Sequence, residues 1–247
     1  MSPSAERALA VVIPMYDEEA GAERCVRAVT QVLERDVRGA RLFVVNDGSR
    51  DGTRAVLERL AADGLPFTFV DLPGNVGYGG ALRAGANRAH DDGYAFALFM
   101  DSDLTNDPAL IPAFWSLLAT GRYDVVKASR YVRGGGMHGV PRARRWITVA
   151  GNRIAGALFG MGIRDCTNGF RAVRLSMLRG AELHERGFAS ILEELLALKR
   201  CGARAAELPY VLTARAAGRS KFRYTPAVLW TYLKYALLAA ATRRRPA

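Results

Sequence analysis

Short apolar runs recurring between helical patterns are the feature that most constrains this chain. From Leu9 to about Arg130 the two alternate, which is the signature of repeated βαβ units and a mostly parallel sheet flanked by helices. The expected strands are Leu9 to Pro14, Arg41 to Asn46, Phe67 to Leu72, Tyr94 to Met100 and Asp124 to Ser129, each apolar on both faces as a covered sheet requires. Helices are expected near Ala20 to Arg35, Thr53 to Ala62, Gly80 to His90 and Pro108 to Leu118. Each of the first four strands runs into a polar or glycine-rich turn: Met15-Tyr16-Asp17-Glu18, Asp47-Gly48-Ser49, Pro73-Gly74-Asn75 and Asp101-Ser102-Asp103. Open α/β sheets bind ligands beyond the carboxyl ends of their strands, so these turns predict one shared site on one edge.

A chain of 247 residues, half of them apolar or aromatic, buries enough surface to fold without disulfides or structural metal. Cys25, Cys166 and Cys201 are odd in number and widely spaced, which fits a reducing cytosol. His90, His138 and His184 are equally scattered, so no zinc-type site is expected and any metal must sit on carboxylates. The polar stretch Met1 to Arg7 leads straight into a strand and carries no secretory pattern, so a cytoplasmic location is expected.

The formal charge of +11 and pI near 10.1 call for an anionic partner. Nucleic acid, an anionic membrane surface and a phosphorylated small molecule all satisfy that number. Basic residues cluster at Arg142, Arg144 and Arg145 and at Arg243, Arg244 and Arg245. After Arg130 the sequence reads as a three-glycine hinge or mobile loop at Gly134-Gly135-Gly136 and a helix from about Trp146 to Phe159. A helix from Ser190 to Arg200, a strand around Glu207 to Leu212 and a final apolar helix from Pro226 to Ala241 follow. That last helix spans about 24 Å, short of the roughly 30 Å hydrocarbon core of a bilayer. With Trp230, Tyr232 and Tyr235 ahead of three arginines it suits either the headgroup region or a docked position on the domain.

Asp101-Ser102-Asp103 is the strongest local signal. Carboxylates two apart where a buried strand meets solvent converge on one hard divalent cation such as Mg²⁺ or Mn²⁺, which then bridges substrate phosphates. The alternative reading is an acidic turn before a helix, and Asp107-Pro108 has that character: an N-cap followed by Pro at the first helical position. Asp47 also follows a buried strand and is placed to accept hydrogen bonds from a base or ribose hydroxyl, whereas Asp51 and Thr53 read as turn and cap residues. Gly74-Asn75-Val76-Gly77-Tyr78-Gly79-Gly80-Ala81 has neither the dinucleotide register nor a Walker loop; its glycines read as allowing close backbone packing beside the site.

In combination these residues resemble the glycosyltransferases of GT-A type, family 2. Ile13-Pro14-Met15-Tyr16-Asp17-Glu18 resembles that family's opening I-P-x-Y-N-E, Asn46-Asp47-Gly48-Ser49 its V-D-D-x-S, Asn75 to Gly85 its N-x-G-x-G-x-A segment and Asp101-Ser102-Asp103 its D-x-D. Ser129-Arg130-Tyr131, Asn168-Gly169-Phe170-Arg171, Glu193 nine residues before Gly202, Glu207-Leu208-Pro209 and Arg215-x-x-Gly218-x-Ser220-Lys221 are similar to the dolichyl or polyprenyl phosphate mannose synthases and their glucosyl relatives.

The resemblance implies a Rossmann-like GT-A catalytic domain over residues 1–222; residues 223–247 are expected to form an apolar, amphipathic helix and basic tail, either at a membrane surface or docked on the domain. It implies a metal-dependent inverting transfer of a hexosyl group, mannosyl first, from GDP-mannose or else UDP-glucose to a polyprenyl phosphate. The expected setting is the inner membrane face, where a separate anchor protein is compatible and nucleic acid is not expected. Pro14, Tyr16, Glu18 and Asp47 would hold the nucleoside. Asp101 and Asp103, with Ser102 between them, would bind the metal and the donor diphosphate. Arg130 and Arg144 would clamp the lipid phosphate, and Arg215, Ser220 and Lys221 would close over the phosphates, because guanidinium forks engage phosphate oxygens bidentately. Glu193 or Glu194 would orient acceptor or sugar. The chain departs from the pattern where Asp17 replaces Asn, Asn46 replaces the first Asp, Asn168 replaces Ser and Thr105 replaces a Gln just beyond the D-x-D. A family 2 enzyme glycosylating a soluble acceptor, and a noncatalytic binder of nucleic acid or membrane using the net charge, are the rival readings.

Overall fold

The strand nearest the N-terminus, β1 (Leu9–Met15), lies at the centre of a seven-stranded sheet. In this computed structural model residues 9–139, 142–212 and 225–242 are described, with the backbone path alone for 142–144 and 226–229. Four βα repeats build the first half. After β1 come α1 (Glu19–Asp36), β2 (Arg41–Asn46), α2 (Thr53–Ala62), β3 (Phe67–Asp71), α3 (Tyr78–Asp91) and β4 (Phe96–Phe99). A 3₁₀ turn at Pro108–Leu110, α4 (Ile111–Ala119) and β5 (Val125–Ser129) complete it. The strands and helices read from the apolar periodicity are all present, with ends shifted by a few residues.

The second half holds β6 (Gly136–Met137), α5 (Arg142–Phe159), β7 (Arg171–Arg174), α6 (Leu175–Leu178), α7 (Ser190–Arg200), β8 (Ala205–Pro209), β9 (Val211–Leu212) and α8 (Pro226–Ala241). Strand order in the main sheet is β3-β2-β1-β4-β7-β5-β8, with β7 antiparallel to both neighbours and every other pairing parallel. The chain leaves β1 toward β2 on one side and meets β4 on the other, so the crevice between β1 and β4 is a topological switch point.

Two apolar layers cover the sheet. On one face Leu9, Val11, Ile13 and Met15 pack with Cys25, Val29, Leu57 and Phe114 from α1, α2 and α4. On the other, Ala10 and Val12 pack with Leu82, Phe159, Leu195 and Tyr235 from α3, α5, α7 and α8. The alternation along β1 is the period of two expected of a strand buried on both sides.

Three details differ from the sequence expectation. The three glycines do not form an open hinge: Gly136 is in β6, which pairs with β9, its N–H donates to Tyr210 O at 3.0 Å, and a Cβ on Gly135 would collide with the Ser129 carbonyl. The strand expected around Glu207 to Leu212 divides at Tyr210, its first part joining β5 and its second β6. Among its described side chains, helix α8 shows no division into an apolar and a polar face. It packs Tyr235, Ala236 and Ala239 against α5 and α7 while leaving Trp230, Leu233, Leu237 and Leu238 exposed, so apolar residues occupy both sides.

Candidate active site

A cleft of about 460 Å³ opens at the carboxyl ends of β1, β2 and β4. Pro14, Tyr16 and Glu18 line it from the β1 end, Asp47 from β2, Asp101, Ser102 and Asp103 from β4, and Tyr78, Arg186 and Phe188 from across. The turns that the sequence placed on one edge thus converge on one cavity, as an open α/β sheet requires.

Two of the turns clasp each other. Asp17 adopts φ 51°, a left-handed conformation that short polar side chains tolerate, and its Oδ1 accepts from Arg50 N at 2.7 Å. In return Asp17 N donates to Ser49 Oγ at 3.1 Å and Glu18 N to Thr53 Oγ1 at 2.8 Å. Asp51 accepts from Thr53 N and from Glu19 N, the turn role read from the sequence. Asn46 has a clear reason to stand where an acid is usual: its Nδ2 donates to Asp71 Oδ1 at 2.7 Å, a contact a second carboxylate would turn into repulsion.

Asp47 lines the cleft, yet both its carboxylate oxygens accept from backbone, Oδ1 from Val76 N at 2.7 Å and Oδ2 from Gly77 N at 3.0 Å. Burial raises its pKa, opposed by those two amides and by the Arg186 charge. In this structure Asp47 therefore shapes the 75–77 turn. The glycines beside it do allow close approach: a Cβ on Gly77, at φ 84°, would lie 2.6 Å from Arg186 O, and Gly79 N donates to that same carbonyl at 2.8 Å.

The Asp101-Ser102-Asp103 turn is braced from several sides. Asp101 N donates to Asn106 Oδ1 at 2.8 Å, and Tyr78 OH donates to Asp101 Oδ1 at 3.2 Å. Asp103 Oδ1 accepts from Thr105 N at 3.0 Å and from Thr105 Oγ1 at 2.6 Å, so the residue found in place of Gln orients a carboxylate. Tyr210 OH donates to Thr105 O at 2.7 Å, and burial pushes the Tyr210 pKa up to about 12. Asp107 accepts from Ala109 N as the expected cap. Two hard carboxylate oxygens at a cleft mouth fit Mg²⁺ or Mn²⁺, ions that keep part of their coordination for water and substrate phosphate. Among the described residues no cluster of three or more acids, histidines or cysteines makes a closed metal site.

Other expected residues lie apart from the cleft. Glu193 accepts from His184 N at 2.8 Å, Glu185 N at 2.9 Å and Tyr235 OH at 3.2 Å, tying the segment before α7 to α8. Glu194 is committed to Arg171, at 2.6 Å and 2.7 Å. Neither carboxylate lines that cleft; both line a second cavity of about 380 Å³ between α3 and α7. The expectation that one of them orients acceptor or sugar thus meets two carboxylates already held by structural partners. Arg130 grips Asp165 and, through Nη2, Thr167 Oγ1 at 3.2 Å; burial works against its charge, but Asp165 outweighs it and raises the pKa. Arg144 is on α5, where its side chain lies outside the described residues, as do Arg215, Ser220 and Lys221.

Sequence reasoning missed Arg186 and Phe188. Arg186 donates to Val76 O at 3.0 Å and Asn75 O at 2.8 Å, and the Phe188 ring lies 4.6 Å from that of Tyr78, so the 186–188 segment walls the cleft opposite the acids. The Gly187-Phe188 pair shortly before α7 was the available signal.

A Rossmann-like sheet with an acidic D-x-D turn at its switch point defines a GT-A type fold. Residues 10–180 match the family described as Glycosyl transferase family 2, and the chain belongs to that family. It is a glycosyltransferase. Undecaprenyl-phosphate mannosyltransferase of Micrococcus luteus is 31% identical over 214 residues, covering 85% of each chain. Polyprenol monophosphomannose synthase of Mycolicibacterium smegmatis is 29% identical over 215 residues, 85% of this chain and 79% of that one. The fold also matches glucosyl-3-phosphoglycerate synthase of Mycobacterium tuberculosis solved with Mn²⁺ and UDP-glucose, at TM-score 0.66 and 23% identity over 97% of this chain and 81% of that chain.

Proposed function

We propose that this enzyme transfers a hexosyl group, mannosyl first, from a nucleotide sugar to a polyprenyl phosphate at a membrane surface. The observation that carries the reading is the single cleft formed by Pro14, Tyr16, Glu18, Asp47, Asp101, Ser102 and Asp103, in a chain whose relatives over most of its length are named for that acceptor class. Tyr16 and Glu18 face the nucleoside, and Asp101 and Asp103 hold Mg²⁺ or Mn²⁺. When bound, the ion neutralises charge on the departing diphosphate.

An acceptor phosphate oxygen attacks the anomeric carbon as the bond to the donor diphosphate breaks, with inversion. The acceptor is already anionic, so the chain's task is alignment and charge neutralisation rather than proton abstraction. Glu193 and Glu194, both engaged elsewhere, agree with a reaction that needs no strong base. Arg130, Arg144, Arg215 and Lys221, with Ser220, supply phosphate contacts. Arg130 follows β5, which runs parallel to β4 with β7 between them, so it leaves the sheet at the same edge as the acidic turn.

The membrane surface is engaged by α5 and α8, which pack against each other. Trp146, Ile147 and Ile154 are 72%, 65% and 58% exposed, and Trp230, Leu233 and Leu237 are 67%, 44% and 53% exposed. Apolar residues this exposed, beside Arg142, Arg144 and Arg145 and ahead of Arg243 to Arg245, fit an anionic lipid headgroup layer. No described helix is long and apolar enough to cross a membrane.

The test is a donor panel of GDP-mannose, UDP-glucose, UDP-N-acetylglucosamine and UDP-galactose with Mn²⁺ or Mg²⁺ and a short polyprenyl phosphate, reading label extracted into organic solvent. Lipid-phase product that disappears with EDTA supports the reading. Donor turnover with an empty organic phase overturns the lipid acceptor and favours a soluble one.

A further inference from the structure

The carboxylate of Asp101 is reached from behind by a chain of buried polar contacts that runs out to α7. Glu194 holds Arg171 through two contacts, Nε to Oε1 at 2.6 Å and Nη2 to Oε2 at 2.7 Å. Arg171 is 2% exposed, lies over the Phe99 ring with its Cζ 4.6 Å from the centroid, and donates through Nη1 to Gly169 O at 2.8 Å. The Arg171 charge bears on the buried Tyr78 side chain, and Tyr78 OH donates to Asp101 Oδ1 at 3.2 Å.

A tyrosine hydroxyl has one proton and two acceptor lone pairs. Here the proton goes to the Asp101 carboxylate, and the nearby Arg171 charge strengthens that contact in a low-dielectric interior. The ring is held against Phe188, so the hydroxyl has little freedom to turn away. Gly169 completes the arrangement: a Cβ there would lie 2.9 Å from Tyr78 OH, with its next neighbour, Ile191 Cδ1, at an ordinary 3.8 Å.

We propose that Tyr78 is a positioning residue for the divalent cation: polarised by the Arg171–Glu194 pair and seated by Gly169, its hydroxyl fixes the orientation in which Asp101 meets the ion. This gives Gly169, Arg171 and Glu194, which do not line the donor cleft, a part in the site. The proposal rests on the reading of Asp101 as a metal ligand.

The experiment is calorimetric binding of UDP and of GDP across a MnCl₂ titration, with free Mn²⁺ followed by its paramagnetic resonance signal and thermal unfolding recorded in parallel. The parent chain is expected to bind one of the two in a Mn²⁺-dependent manner. Tyr78→Phe should raise the Mn²⁺ concentration for half-maximal binding about 10-fold or more, the usual cost of losing a group that orients a metal ligand, while unfolding stays within a few degrees of the parent. Gly169→Ala should produce the same shift by displacing the hydroxyl, and should add nothing in the Tyr78→Phe background. An unchanged Mn²⁺ requirement in Tyr78→Phe, or an equal effect of Gly169→Ala in both backgrounds, overturns the role of Tyr78. A parent chain whose nucleotide binding ignores Mn²⁺ overturns instead the metal reading beneath it.

Discussion

Arg130 holds Asp165 in a two-pronged pair, Nε to Oδ2 and Nη2 to Oδ1, each at 2.7 Å. Asp165 is completely buried and Arg130 nearly so, and the backbone N–H of Arg130 donates to the same carboxylate at 3.0 Å. Removing the acid would leave a guanidinium with little water to replace it. Asp165→Ala is expected to cost about 3–5 kcal/mol in urea unfolding, the range for breaking a buried pair from one side. Arg130→Lys separates structure from function: it keeps the charge and loses the fork. If Arg130 contacts the acceptor phosphate, the acceptor KM of the variant rises more than its donor KM; an acceptor KM that changes no more than the donor KM would confine Arg130 to a structural part.

Asp103 accepts from Thr105 through one oxygen, so its orientation does not depend on substrate. Asp103→Ala should lower kcat/KM by about 10³-fold or more, on the scale of losing a preorganised charge contact in an active site, with far-ultraviolet circular dichroism unchanged. Turnover equal to the parent would remove Asp103 from the site.

Gly77 offers a test of the wall opposite the acids. Its φ of 84° and the 2.6 Å approach of a Cβ to Arg186 O leave no room for alanine unless the 186–188 backbone retreats. Gly77→Ala should raise the donor KM severalfold and destabilise the fold by about 1–3 kcal/mol, both read on the same preparation. An unchanged donor KM would mean that Arg186 and Phe188 do not touch the donor.

Much of this architecture is visible in the sequence because it is locally encoded. Strands β1 to β5 are apolar runs followed by amphipathic helices, and the acidic turns follow those runs directly. Strand β7 is not visible in that way. Arg171 and Arg174 flank only two apolar residues and read as exposed, whereas Arg171 is buried on Glu194 and Arg174 reaches Asp124 at 2.9 Å across the sheet. The same holds for Glu193 and Glu194: adjacent acids on a helix carry no mark of whether they face a substrate or a structural partner. Arg186 and Phe188 join the cleft through contacts to Val76 and Tyr78, residues a hundred positions away that no local pattern connects to them.

Asp124 sets a pH dependence of stability. It accepts from Arg174 Nε at 2.9 Å, Arg204 Nε at 2.9 Å and Arg204 N at 3.0 Å. Burial opposes ionisation, but the Arg204 and Arg174 contacts outweigh it and lower the carboxyl pKa below its ordinary 3.8. Stability from a lowered carboxyl pKa is fully present above the unfolded value and is lost as pH falls through the folded one. Asp124→Asn should therefore be less stable than the parent by about 2 kcal/mol at pH 7, and the gap should close only below about pH 4. A gap that is constant down to pH 3 would show that the charge on Asp124 contributes nothing.

The exposed apolar residues of α5 and α8 give the last prediction. Trp146 and Trp230 are the most exposed large apolar side chains described, on two helices that support each other, so substitution at either is free of core effects. Trp146→Glu and Trp230→Glu should each weaken binding to phosphatidylglycerol vesicles about tenfold, or ~1.4 kcal/mol, by withdrawing an apolar anchor and adding repulsion from the anionic surface. Turnover of a polyprenyl phosphate presented in vesicles should fall in parallel, while metal-dependent nucleotide binding stays at the parent level. Binding that both substitutions leave untouched, at low and at physiological salt, would place the acceptor lipid's entry elsewhere on the molecule.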